Sequence, residues 1–145
     1  MVATSLLDVN MLLASVDRDH VAYRKVHSWL DEMGGSPWAT CPLTQAGFVR
    51  IVSNRGFHSY DATLAEAFQM LADICRQPGH RFWPLDITLA EAVQPFQEKL
   101  VGHRQVTDAY LLGLAIRHKG RLVTLDRGIA ALAGDEFARY VTLLS

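Results

Sequence analysis

Apolar residues gather in five short runs, at 4–7, 38–41, 82–85, 122–125 and 140–144, each the length of a strand. Between the runs, apolar positions recur at helical spacing. Segment 20–33 places Ala22, Tyr23, Val26, Trp29, Leu30 and Met33 on one face, and Gly34-Gly35 ends it. Segments 43–52, 61–77, 88–100 and 107–119 are also predicted to be helical, with Pro95 kinking or breaking the fourth. Strands alternating with helices predict an α/β fold whose parallel sheet is covered on both faces. The last helix is the best delimited: Thr107 is its expected N-cap, Asp108 favours the positive helix end, and His118-Lys119-Gly120 closes it.

The length of 145 residues is enough for one domain with a buried core, and neither repeat nor linker divides it, so 1–145 is read as a single domain. No apolar run approaches the roughly 20 residues of a membrane span. The start carries Asp8 and lacks a basic leader, so no signal peptide is expected. Cys41 and Cys75 have no metal-type spacing and are expected to be reduced thiols of a cytoplasmic protein. With 14 Lys and Arg against 15 Asp and Glu, total charge gives no argument for nucleic acid; only a local cluster can.

Three carboxylates make the chemistry specific. Asp8 follows the run SLL and Asp126 follows LVTL, so both sit at carboxyl ends of strands, where open α/β sheets bind ligands. Asp108 opens the helix that runs back to the Asp126 strand, so it reaches the same rim. Taken singly, an Asp at either kind of position often serves only as a cap. Together the three repel one another, and a hard divalent cation, Mg²⁺ or Mn²⁺, relieves that repulsion. A cation so held suits phosphodiester hydrolysis. Asn10 and Thr124 are candidate supports for a carboxylate or water, with plainer roles as a cap for a helix beginning at Met11 and as strand filler.

The elements SLLDVNMLLA, CPLTQAGFVRIVSN and VTDAYLLGLAIRHKGRLVTLDRG resemble those of PIN-domain ribonucleases, specifically the VapC-like toxins of prokaryotic toxin–antitoxin pairs. The resemblance implies a three-layer α/β/α sandwich with a short, mainly parallel five-stranded sheet. It further implies metal-dependent endonucleolytic cleavage of RNA by a homodimer that a small VapB-like antitoxin neutralises. Asp8, Asp108 and Asp126 match three of the family's four acidic positions. The remaining one, usually Glu, falls on Gln45, which offers a carbonyl oxygen but no charge. That makes a single cation a better expectation than two.

Phosphate contacts are expected from Arg127 and Arg104, with Arg18 and Arg50 further off. The six histidines, His58 among them, show no ligand spacing. Segment 61–77 carries an apolar stripe (Leu64, Ala67, Phe68, Leu71, Ile74) wider than a small sheet covers, which suits a partner surface. Two other readings compete. One is a catalytically weakened PIN-type module that binds RNA or protein. The other is a receiver-like phospho-acceptor domain, which wants an acidic pair after the first strand and a lysine after the last; neither is present.

Overall fold

Alternate side chains of the two central strands leave the sheet on opposite faces, and this builds the molecule. The computed structural model describes residues 2–54 and 61–145; His58 lies outside them. Five strands, β1 (Ser5–Leu7), β2 (Trp38–Thr40), β3 (His80–Phe82), β4 (Arg121–Thr124) and β5 (Val141–Leu143), form one sheet in the order β3-β2-β1-β4-β5. All four pairings are parallel. Leu6 and Leu122 enter a core shared with Phe96, Leu112 and Ile129. Their neighbours Leu7 and Val123 enter a second core with Met11, Val26 and Phe48. Two cores on two faces make the expected three layers.

The helices divide accordingly. α1 (Val9–Val16), α2 (Tyr23–Met33), α3 (Pro42–Val52) and α4 (Leu64–Cys75) cover the second core. α5 (Leu89–Val93), α6 (Gln105–Arg117) and α7 (Arg127–Ala133) cover the first. Every residue from Ala109 to Ala115 is buried, so α6 is an enclosed helix rather than an amphipathic one. Gly113 permits that enclosure: a Cβ there would lie 2.3 Å from the carbonyl oxygen of Ala92 in α5. Among the described residues no helix is long and apolar enough to cross a membrane.

Several expectations shift. The third strand lies at His80–Phe82, not 82–85: Thr40 pairs with Phe82, the Trp83 N–H then donates to the Thr40 carbonyl, and Pro84 has no N–H to continue. The apolar run misled because β3 is an edge strand, where polar His80 and Arg81 are tolerated. Thr107 is not the cap of α6. The helix starts at Gln105, whose side chain accepts the Val101 N–H at 2.7 Å, and Arg104 stands at the N-cap without a side-chain cap bond. Asn10 does not cap α1 either; Asp8 does, and Asn10 is an exposed residue of the first turn. As expected, α5 stops before Pro95 and continues as a 3-10 helix over Gln94–Lys99. The helix α7 was not anticipated. On α4, Ala67 is buried while Leu64 and Phe68 stay exposed.

The close contact between α5 and α6 yields a test. Gly113→Val forces backbone apart, and overpacking of this kind costs about 1–3 kcal/mol. Urea denaturation should show a lower midpoint with an unchanged slope; an unaltered midpoint would contradict the packing described.

Candidate functional site

The chain leaves β1 for β2 and β3 on one side, and later returns to β4 and β5 on the other. The order therefore reverses between β1 and β4, and the crevice beyond their carboxyl ends is the natural ligand position. Asp8 directly follows β1, and Asp126 lies two residues past β4. Asp108 occupies the first turn of α6, which runs antiparallel into β4.

One hydrogen-bond chain ties the first two together. The Asp8 N–H donates to the Val123 carbonyl at 3.1 Å, extending the β1–β4 ladder by one residue. Asp8 Oδ1 accepts the Val9 N–H and Oδ2 accepts the Thr124 hydroxyl, each at 2.8 Å. Thr124 Oγ1 in turn accepts the Asp126 N–H at 3.0 Å, and Asp126 Oδ1 accepts the Gly128 N–H at 2.8 Å. Asp8 thus caps α1 and Asp126 caps α7. With Asp108 in α6, three helix N-termini meet at the rim, and each favours negative charge.

Burial and neighbouring charge still raise the pKa of Asp8 and Asp108. Asp8 is 7% exposed, and burial lifts its pKa; the bonds from Thr124 and Val9 oppose that lift, and the Asp126 charge adds to it. Asp108 is pushed up to about 6, first by burial and then by the charges of Asp8 and Asp126. Among the described residues no three His, Cys, Asp or Glu side chains are gathered tightly enough to enclose an ion. The three acids are therefore close enough to interact, but they are not drawn into a finished cage.

The remaining candidates separate. Thr124 is fully buried and serves Asp8. Gln45 is held at the end of β2: its Nε2 donates to Thr40 Oγ1 at 2.9 Å and approaches Cys75 Sγ at 3.8 Å. Thr40 is also 2.7 Å from His80 Nε2. On the same helix as Gln45, Gly47 packs against the first turn of α1, where a Cβ would lie 2.7 Å from Val9 Cγ2. Arg127 begins α7 beside Asp126, Arg104 precedes α6, and both are exposed. Asn10 and Arg127 line a cavity of about 400 Å³ together with Lys25 and His20, which sequence reasoning had not placed here. No local signal marks these two; the turn into α2 brings them. A larger cavity, about 510 Å³, lies among α1, α2 and α4 and touches none of the three acids.

Comparison with known proteins adds relatives to this geometry. The family model described as PIN domain matches residues 5–135. Ribonuclease VapC39 of Mycobacterium tuberculosis is 41% identical over 141 residues, 97% of this chain and 99% of that protein. Ribonuclease VapC44 of the same species is 40% identical over 129 residues, 89% of this chain and 90% of that one. Among solved structures, VapBC2 from Rickettsia felis bound to a promoter DNA fragment superposes with a TM-score of 0.65 at 11% identity, covering 89% of this chain and 92% of that one. FitAcB from Neisseria gonorrhoeae gives 0.63 at 19%, covering 90% and 93%. At such identities the two structures speak for the fold alone.

The raised pKa of Asp108 sets a sign. Its folded value lies above its unfolded value, so the ionised form burdens the folded state at neutral pH. That burden is relieved as pH falls through about 6. In EDTA, Asp108→Asn should therefore be more stable than the parent at pH 7.5, and the gain should shrink as pH falls below 6. Denaturant melts at both pH values check this; a pH-independent difference would contradict the electrostatic account.

Proposed function

Because the chain belongs to the PIN-domain family, we propose that it is a VapC-type endoribonuclease, a toxin that hydrolyses RNA phosphodiester bonds and is held in check by a VapB-like antitoxin. The supporting observation is the convergence of Asp8, Asp108 and Asp126 at the switch point between β1 and β4, with Asp108 pushed up to about 6 by burial and its two acidic neighbours. In this reading all 145 residues form one PIN domain, which acts in the cytoplasm as a homodimer.

The donor set fits a hard divalent cation. Carboxylate oxygens suit Mg²⁺ or Mn²⁺, and the positive charge would offset the burial and the repulsion that raise the Asp108 pKa. Asp8, Asp108 and Asp126 would hold the ion. When bound, it supplies charge stabilisation at the phosphoryl group and a water of lowered pKa.

The chain's own residues do the positioning. Val9 and Thr124 each occupy one oxygen of Asp8 and fix its carboxylate plane, leaving the remaining lone pairs free to face the crevice. Gly128 fixes Asp126 in the same way. Arg127 and Arg104 contact RNA phosphates from the exposed rim. Gln45 supports the site indirectly through Thr40 at the end of β2, rather than by donating a ligand.

Two experiments test the reading. Asp8→Asn and Asp108→Asn should each reduce Mg²⁺-dependent cleavage of structured RNA by about 10²–10³-fold, and EDTA should do the same to the parent. Cleavage by either variant at the parent rate would remove the acidic mechanism, and cation binding without cleavage by the parent would favour the weakened-module reading. Separately, Gln45→Glu should leave Mg²⁺ affinity by calorimetry within about twofold, since position 45 faces Thr40. A gain of the size that altered ion-supporting residues bring, roughly 10–100-fold, would place it in the ion's surroundings instead.

A further inference from the structure

The cavity of about 400 Å³ beside the acids has a composition that the acidic cluster does not explain. Its walls include Asn10, His20, Lys25, Leu125, Arg127, Leu143 and Ser145, and among the described residues no Asp or Glu side chain contributes to them. Asn10 lies two residues past Asp8, and Arg127 directly follows Asp126, so the cavity opens next to the crevice where a phosphodiester would react. Its volume lies within the range of small-ligand sites, roughly 300–1,000 Å³.

Its charged side chains are cations. Lys25 and Arg127 are exposed, and among the described residues neither forms an ion pair, although Arg127 adjoins Asp126. His20 Nδ1 accepts the Ala22 N–H at 3.0 Å, which fixes the proton of the neutral ring on Nε2 and makes that nitrogen a donor. Leu125 and Leu143 are half-buried and give the cavity an apolar side. Two cations with no ion pair among the described residues disfavour a metal ion, and the hydrogen-bonding side chains and apolar wall offer it no carboxylate. They match the three parts of a nucleotide: phosphate, polar base edge and base face.

We propose that this cavity takes the nucleotide adjoining the scissile phosphate of a single-stranded RNA, with Lys25 and Arg127 on its phosphate, Leu125 and Leu143 against its base, and Asn10 and His20 at the base edge. This rests on the ribonuclease reading. A base can enter only if it is unstacked, so the cavity selects single strands, loops and bulges over continuous duplex. It also assigns a role to Lys25 on α2, an element that carries none of the site's acidic residues.

The test is fluorescence anisotropy of a short fluorescein-labelled single-stranded RNA in EDTA, where binding is read without cleavage. Lys25→Glu is compared with Arg121→Glu, an equal charge change on an exposed residue at the start of β4, on the opposite rim. Lys25→Glu should weaken binding roughly tenfold and flatten its salt dependence, while Arg121→Glu stays within about twofold. The duplex form of the same RNA should bind the parent more weakly than the single strand. Parent-like binding by Lys25→Glu, an equal loss in Arg121→Glu, or duplex bound as tightly as single strand would each overturn the assignment. If the parent cleaves RNA in Mg²⁺ while Lys25→Glu binds normally, the subsite fails and the ribonuclease reading stands. Tight, Lys25-dependent binding with no cleavage would do the reverse.

Discussion

The parallel pairing of β1 with β4 is the contact on which the rest depends. It registers Leu7 against Val123, and the Asp8 N–H extends the ladder onto the Val123 carbonyl. Residues more than a hundred positions apart are thereby placed so that Thr124 can donate to Asp8 and hold Asp126 with the same oxygen. The strands are only three and four residues long, so hydrogen bonds alone would not hold them. Burial does: Leu6, Leu7, Leu122 and Val123 are at most 3% exposed, and a fully buried aliphatic side chain contributes about 1.5–3 kcal/mol. Apolar burial on both faces supplies the stability against which a charged rim can be kept.

That rim is a contest between two electrostatic effects. The N-termini of α1, α6 and α7 favour anions, each by about 0.3–1 kcal/mol and up to about 2 kcal/mol where partly buried. Hydrogen bonds from Val9, Thr124 and Gly128 add to the same side. Burial and mutual repulsion oppose them, and for Asp108 they win, because its pKa stands near 6 despite its place in a helix's first turn. The fold thus offsets part of the cost of gathering three carboxylates and leaves the remainder. A divalent cation acts on that remainder, so the imbalance is consistent with the proposed chemistry.

The parts legible in the sequence are those written in short-range pattern. Strand-length apolar runs located β1, β2, β4 and β5, and an Asp following such a run marked each of two positions on the rim. What local pattern could not carry was orientation and edge effects. The third strand moved because pairing with β2 ends at Phe82, a fact about a partner strand and not about the run at 82–85. The helix α6 began earlier than Thr107 because a glutamine side chain, Gln105, holds the preceding turn. Lys25 and His20 were missed for the same reason: only the tertiary turn into α2 brings them beside Arg127.

Position 45 shows why a tally of charges along the chain differs from the charge of a site. A neutral residue there looks like a missing ligand if α3 is taken to present it to the acids. In the structure Gly47 packs against Val9 of α1, and Gln45, two residues earlier and so on another side of the helix, turns its amide to Thr40. Its amide donates to Thr40, so the Thr40 hydroxyl proton is free to go to His80 Nε2. A ring nitrogen that accepts must be unprotonated, which agrees with burial and the neighbouring Arg81 charge lowering the His80 pKa. A carboxylate at position 45 would accept from Thr40 instead and compete with His80 for its single proton. The amide therefore satisfies this network, which joins α3 to β2 and β3.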